Sequence, residues 1–112
     1  MADEVLQVDL DEMGILTLRL NRPQVMNSLN FELLRALDEQ IRKVRFRSDI
    51  RVLIITGAGE KAFCAGADLK ERAGMTPAQV KEYIFTIRNL FTEIENLNKP
   101  VIAAVNGVAL GG

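Results

Sequence analysis

The sequence predicts an α/β fold in which a mainly parallel sheet packs against helices. Residues 52–55 and 101–105 are predicted to be strands buried on both faces, because each is a continuous apolar run bounded by turn residues. Between them, residues 77–97 have the apolar spacing of a long amphipathic helix. Two strands joined by a crossover helix indicate a parallel, right-handed βαβ unit.

The composition is that of one ordinary globular domain. Of 112 residues, 48% are apolar and 26% are charged, and the net charge is −1. This balance gives no general attraction to nucleic acid or to an anionic membrane. No apolar run is long enough to span a bilayer, and the start of the chain, with Asp3 and Glu4, does not resemble a signal peptide. We therefore expect a cytoplasmic protein without membrane contact.

The first predicted element is an antiparallel hairpin. Residues 5–10 and 15–20 alternate, so that one face of each strand carries leucine or valine, and residues 11–14 form a turn with glycine. Pro23 follows the second strand and cannot donate to a ladder of backbone hydrogen bonds. The face residues are Leu6, Val8 and Leu10 on the first strand and Leu16, Leu18 and Leu20 on the second.

A helix is then predicted from Asn30, its N-cap, to about Phe46. Its apolar stripe consists of Leu33, Leu37, Ile41 and Val44. Four cations cluster at its C-terminal end, namely Arg42, Lys43, Arg45 and Arg47. They suit either a surface that binds RNA or phosphate, or a solvated helix end, where cations complement the helix dipole. Acidic residues upstream and the lack of interleaved aromatic residues other than Phe46 favour the solvated end.

The chain is organised around residues 61–74. After the strand at 52–55, a loop with the small residues Ala65–Ala67 leads into a short helix. Asp68 and Glu71 have the spacing of an N-cap and its reciprocal capping-box partner, and Gly74 occupies the place of a left-handed C′ residue. Small residues before a helix N-terminus expose backbone N–H groups to an anion or a carbonyl, although a simple tight connection has the same pattern.

Cys64 is the only cysteine, and the chain has no histidine. A nucleophilic thiol would need a base or a cation, and the nearest cation is Lys61. We therefore predict that Cys64 is a small, buried loop residue. The same composition makes a zinc site unexpected, so no bound metal is predicted.

The long helix begins with good capping residues. Thr76 suits the N-cap, Pro77 the first helical position and Gln79 the third. Asn98–Pro100 ends the helix, and residues 106–107 turn the chain after the last strand. The stripe predicted to face the core or an interface is Val80, Ile84, Ile87, Phe91 and Ile94, widened by Leu90 and Leu97.

Three blocks of this sequence resemble the crotonase (enoyl-CoA hydratase/isomerase) superfamily. Residues 63–71 (FCAGADLKE) resemble its first signature, and residues 101–112 (VIAAVNGVALGG) the start of its second. Residues 21–23 (NRP) and 27–29 (NSL) resemble its N-terminal pattern, and residues 57–63 and 70–75 are most similar to bacterial methylglutaconyl-CoA hydratase-like members. The resemblance implies the crotonase (ClpP-like) spiral of β-β-α units. Residues 1–112 would then be an incomplete, N-terminal part of that domain, without its second catalytic half and C-terminal helices.

The resemblance also implies a function, that of an enzyme which adds water to a 2-enoyl-CoA. In the family, the thioester carbonyl rests between two backbone N–H groups, which the motifs assign to Ala67 and Gly112. An enolate-like charge on that oxygen is stabilised by both donors. No separate cofactor is implied, because CoA is part of the substrate. The positions assigned to acyl-CoA binding are Ala65, Asp68, Leu69 and Lys70.

The resemblance leaves the reaction type open. The two glutamates of family hydratases lie beyond the second glycine block, so residues 1–112 alone are expected to be inactive. An enoyl-CoA isomerase shares the oxyanion hole and differs in the missing acid/base residues, and an RNA-binding hydratase homologue is a further alternative. A lyase of fatty acid or branched-chain amino acid catabolism is implied, assembled as a homotrimer or hexamer when full length.

Overall fold

The computed structural model describes residues 4–112, so the first three residues of the acidic N-terminus lie outside it. The fold is α/β, as predicted. Four strands form one sheet in the order β1-β2-β3-β5, and β4 pairs with β6 in a second small sheet. The elements are β1 (Leu6–Leu10), β2 (Ile15–Leu20), a 3-10 helix (Pro23–Val25), α1 (Phe31–Phe46), β3 (Val52–Gly57), β4 (Ala62–Cys64), α2 (Leu69–Ala73), α3 (Pro77–Glu95), β5 (Val101–Ala104) and β6 (Val108–Ala109).

The larger sheet combines a hairpin with two parallel pairings. The strands β1 and β2 are antiparallel, with Leu6 opposite Leu20, which confirms the predicted hairpin. The strand β3 lies parallel to both β2 and β5, with Leu53 opposite Leu16 on one side and Val101 on the other. The predicted parallel pairing across the α3 crossover is therefore confirmed.

Both long helices begin at the predicted caps. The side chain of Asn30 accepts a hydrogen bond from the Leu33 N–H at 2.9 Å, and α1 begins at the next residue. Thr76 and Gln79 form the complete capping box at the start of α3. Each side chain satisfies a backbone donor that the first helical turn would otherwise leave without a partner.

The core lies between β2, β3 and α1. The predicted stripe of α1 is buried against inward-facing leucines of the sheet. The stripe of α3 is narrower than predicted, because α3 packs mainly against α1. Ile84 is 41% exposed, and the fully buried residues of α3 are Tyr83 and Leu90. The core includes Leu16, Leu18, Leu20, Leu33, Leu34, Leu37, Ile41, Val44 and Leu53.

Three strands are less buried than the sequence predicts. In β3, Leu53 and Gly57 are buried and the other four residues are half-buried. In β5, all residues after Val101 are exposed, and β5 lies at the edge of the sheet among the described strands. Val8 of the other edge strand is also exposed, although it shares a face with buried Leu6. The prediction of strands covered on both faces is therefore wrong for the part of the chain described.

The strands β4 and β6 were not predicted. Residues 62–64 were expected to be loop, but Ala62 pairs with Val108 and Cys64 with Ala109 in parallel. The Leu110 N–H extends the pairing by donating to the Cys64 carbonyl at 2.9 Å. This pairing carries the chain after β6 alongside residues 64–67.

Among the helices of residues 4–112, none combines the length and hydropathy needed to cross a bilayer.

Candidate functional site

Ala67 presents an outward-facing N–H group. The Leu29 N–H donates to the Gly66 carbonyl at 2.8 Å, and the Asp68 N–H donates to the Leu29 carbonyl at 3.2 Å, which makes a parallel bridge between Leu29 and Ala67. The peptide group between residues 66 and 67 is trans and planar, so its N–H points opposite to its carbonyl. The Ala67 N–H therefore points away from Leu29, and it has no acceptor among residues 4–112.

Gly112 lies against this bridge. Gly66 has a φ of +93°, and a Cβ at that position would lie 2.9 Å from the Leu110 carbonyl oxygen and 3.4 Å from the Gly112 nitrogen. A side chain at residue 66 would therefore push the two segments apart. The Gly112 N–H has no acceptor in the described part of the chain. The structure thus places the two N–H groups that the motifs assign to a carbonyl oxygen on neighbouring segments.

An apolar cavity of about 350 Å³ adjoins Gly112. It lies between α3 and the sheet, and its walls include Leu29, Ile55, Phe63 and Phe91. Such a space accepts an apolar chain whose polar end remains at the Gly112 N–H. A more polar cavity of about 410 Å³ lies between residues 23–27 and 58–62 and includes neither Ala67 nor Gly112, so we associate the smaller cavity with the site.

Asp68 is held behind the loop by a buried ion pair. Its Oδ2 lies 3.0 Å from Arg22 Nη1, and its Oδ1 accepts from the Glu71 N–H at 3.0 Å, as the predicted N-cap of α2. Burial alone would raise the pKa of Asp68, but the Glu71 N–H and the Arg22 guanidinium together lower it below its usual value. The carboxylate is therefore charged, and both of its oxygens are bound within the chain.

Two residues of the N-terminal motif support the same loop. Arg22 Nη1 also donates to the Ser28 carbonyl at 2.7 Å. Asn27 is fully buried, and its Nδ2 donates to the carbonyls of Ala58 and Ala62 at 3.0 and 2.9 Å. Sequence analysis gave these residues no role. The available signal was their position, because both are polar motif residues close to apolar strands. A polar group buried there requires hydrogen-bond partners.

The predicted capping box of α2 is only half formed. Glu71 Oε1 accepts from the Phe31 N–H at 3.0 Å, the first N–H of α1, and does not reach the Asp68 N–H. The Asp68 N–H already donates to the Leu29 carbonyl and, at 2.8 Å, to the Tyr83 hydroxyl. Gly74 has a φ of −88°, so the predicted left-handed C′ residue is wrong as well. The helix is short, and the N–H groups of Gly74 and Met75 that follow it donate to carbonyls three residues earlier.

The other residues assigned to acyl-CoA differ in exposure. Ala65 is half-buried, and its N–H donates to the Met26 carbonyl at 3.0 Å. Leu69 is 70% exposed and Lys70 is also exposed, at the start of α2.

Cys64 is buried, and burial raises the pKa of its thiol, which disfavours a nucleophilic thiolate. Its predicted burial is confirmed, but it lies in β4 instead of a loop.

The basic cluster at the end of α1 is neutralised by carboxylates. Arg42 pairs with Asp38 at 3.1 Å and Lys43 with Glu39 at 3.3 Å, both one helical turn away. The two remaining arginines are paired as well, Arg45 with Glu93 at 2.9 Å and Arg47 with Asp49. These pairs fit the predicted solvated helix end.

Comparison with known proteins places these features in a family context. Residues 11–112 match the family model described as enoyl-CoA hydratase/isomerase. A putative enoyl-CoA hydratase/isomerase of Bacillus subtilis is 49% identical over 113 residues, which cover 100% of this chain and 43% of that protein. Human mitochondrial methylglutaconyl-CoA hydratase is 38% identical over 108 residues, covering 96% of this chain and 32% of that protein.

A solved structure shows the same architecture. The crystal structure of an enoyl-CoA hydratase from Bacillus anthracis matches with a TM-score of 0.91 and 46% identity. The match covers 94% of this chain and 41% of that one. The chain therefore spans less than half the length of the relatives it matches.

Proposed function

Because this chain belongs to the enoyl-CoA hydratase/isomerase family, we propose that the complete protein binds a 2-enoyl-CoA and adds water across its double bond. The observation that carries the proposal is the outward-facing Ala67 N–H. This N–H has no acceptor among residues 4–112, and its loop lies beside Gly112 and an apolar cavity. A carbonyl oxygen that accepts from both N–H groups would hold an acyl chain inside that cavity.

The two donors would act on the charge that develops during hydration. Water adds a hydroxyl group to the β-carbon and a proton to the α-carbon, and the thioester oxygen carries enolate charge in between. A preorganised N–H aimed at that oxygen stabilises the transition state by roughly 3–4 kcal/mol. In this proposal Ala67 and Gly112 supply the donors, and Ala65, Asp68, Leu69 and Lys70 contact the CoA part of the substrate. The acid/base glutamates come from the chain beyond residue 112.

Isomerisation of an enoyl-CoA is the second candidate, because the matching family and the Bacillus subtilis relative carry both activities in their names. It would use the same two donors and shift the double bond without water.

The paired cations at the end of α1 weigh against RNA binding. A branched 2-enoyl-CoA is one candidate substrate, given the human relative's name. The absence of a separate cofactor, the cytoplasmic location and the trimeric or hexameric assembly remain predictions.

The proposal is tested with the complete protein and two substrates. With a 2-enoyl-CoA, we expect the conjugated thioester absorbance to fall and a 3-hydroxyacyl-CoA to form, identified by mass spectrometry. A 3-enoyl-CoA that gains conjugated absorbance instead would favour the isomerase. Turnover of neither substrate would contradict the proposal.

The Ala67→Pro variant tests the donor itself. Proline removes the N–H while keeping the residue small, and we expect kcat to fall about 100- to 1,000-fold. Circular dichroism and the assembly state serve as controls for a distorted loop. A correctly folded variant with near-normal kcat would exclude Ala67 from the reaction.

A further inference from the structure

Tyr83 brings a hydroxyl group from α3 to the back of the Ala67 loop. The side chain is fully buried, and its ring packs against Phe31 with centroids 5.2 Å apart. The hydroxyl accepts from the Asp68 N–H at 2.8 Å and donates to the Leu29 carbonyl. Since the Asp68 N–H also donates to the Leu29 carbonyl, the three groups form a closed set of hydrogen bonds.

This set joins the two sides of the Leu29–Ala67 bridge. The bridge consists of only two backbone hydrogen bonds, one on each side of Ala67. The Tyr83 hydroxyl contacts both partners of the longer one, which spans 3.2 Å. The direction of the Ala67 N–H depends on this bridge, because the Gly66 carbonyl on the same peptide group is bound to Leu29.

We propose that Tyr83 is a positioning residue whose hydroxyl fixes the Leu29–Ala67 bridge, and through it aims the Ala67 N–H at the thioester oxygen. The inference rests on the proposed function, since it needs a substrate carbonyl at Ala67. Tyr83 itself does not touch the substrate. Its effect appears only in how well the Ala67 donor is aligned, which matters most when charge develops on the oxygen.

The hydroxyl can be removed without leaving a buried donor unsatisfied. In Tyr83→Phe, the Asp68 N–H keeps the Leu29 carbonyl as its acceptor, and the ring keeps its contact with Phe31. The fold should therefore persist while the bridge becomes less rigid. Burial raises the pKa of Tyr83, so the hydroxyl stays protonated and able to donate throughout the neutral range.

The test compares Tyr83→Phe with Leu90→Val in the complete protein. Leu90 is buried on the same helix, 2% exposed, and lies outside the walls of the apolar cavity, so its variant reports lost packing alone. The measurements are kcat and KM for a 2-enoyl-CoA, the unfolding midpoint, and the infrared C=O band of a bound thioester labelled with carbon-13 at the carbonyl.

For Tyr83→Phe we expect kcat to fall about tenfold with KM nearly unchanged, because a donor slightly out of line loses transition-state contact first. The C=O band should shift towards its position in free thioester, and the ratio of wild-type to variant kcat should not vary between about pH 6 and 9. Leu90→Val should lower the unfolding midpoint but leave kcat and the band unchanged.

Two results would overturn the inference. One is a Tyr83→Phe variant with wild-type kcat and an unshifted band, and the other is an equal loss of kcat in Leu90→Val. A wild-type protein that neither turns over nor polarises any enoyl-CoA would overturn the proposed function as well. That failure is visible in the wild type alone.

Discussion

Lys70 lies in the first turn of α2 with its side chain in solvent. Within residues 4–112 its ammonium group has no carboxylate or hydrogen-bond partner. Arg72 is exposed on the same helix, two positions further along. Two residues of an α-helix are about 200° apart around its axis, so the two cations face different directions. They therefore provide a matched pair for locating a CoA phosphate.

We expect Lys70→Glu to weaken CoA binding by the complete protein roughly 3- to 10-fold at low salt, because the reversal replaces attraction to a phosphate with repulsion. Arg72→Glu makes the same change of charge and should have a much smaller effect. The measurement is a calorimetric titration of CoA at low and high ionic strength, where the difference should shrink as salt screens it. Equal losses in both variants would show a general charge effect and remove Lys70 from the site.

Single residues were predictable where a local pattern defines them. Asn30, Thr76 and the Asp68 N-cap follow from spacing along the chain, and each side chain makes the predicted bond. Tyr83 was not predictable, since its partners lie 15 and 54 residues away in sequence. The same is true of Glu71, whose partner Phe31 is 40 residues away, so a local capping box was the wrong assignment.

At the scale of elements, the Arg22–Asp68 pair joins the end of the hairpin segment to the start of α2. Both side chains are largely buried, 13% and 11% exposed. Breaking such a pair is costly, because one charge remains buried without its partner. Asp68→Asn keeps a good N-cap but removes this charge. It should therefore isolate the contribution of the ion pair from that of the cap.

We expect Asp68→Asn to reduce the free energy of unfolding at pH 7 by about 3 kcal/mol, because Arg22 keeps its bond to Ser28 but loses its counter-ion. The folded-state pKa of Asp68 is lowered, so its contribution is present above the unfolded-state pKa and disappears as the pH falls through the folded-state value. The difference from wild type should be constant above about pH 5 and shrink below about pH 4.

Urea unfolding from pH 3 to 7 measures this difference. Asp49→Asn is a suitable control, because Asp49 also has a lowered pKa but forms an exposed pair with Arg47. Its variant should differ much less from wild type, since solvent screens an exposed pair. A stability gap for Asp68→Asn that widens towards low pH would contradict the assigned direction of the shift.

Elements were predictable from sequence in proportion to their length. The helices α1 and α3 have 16 and 19 residues, so several turns of periodic pattern and a cap agree with one another. The strands β4 and β6 have three and two residues, and they exist only because they pair with each other. No pattern within such short segments separates strand from loop. The segment that positions Gly112 was therefore identified from its motif and not from its secondary structure.

For the whole molecule, the two edges of the main sheet differ in chemistry. The outer strand β1 carries exposed polar residues, Gln7 and Asp9, beside exposed Val8. The opposite edge, β5, has the sequence VIAA and carries no charge. Ile102 of this strand is 51% exposed, and exposed apolar side chains continue after it in the described chain, namely Val105 at 58%, Val108 at 42% and Leu110 at 59%. An apolar, unpaired edge is prone to pair with another chain, whereas charged residues on an edge prevent this.

We therefore expect the 112-residue chain, when produced alone, to self-associate through β5 at micromolar concentration. Introducing two charges with Ile102→Lys and Val105→Lys should shift it towards the monomer, because lysine on an edge blocks strand pairing. Val8→Lys adds one positive charge at the β1 edge, and association should persist because that edge already carries polar residues. Sedimentation velocity separates these outcomes. A wild-type chain that is monomeric, or one whose association is relieved equally by Val8→Lys, would show that β5 is not the surface through which the chains meet.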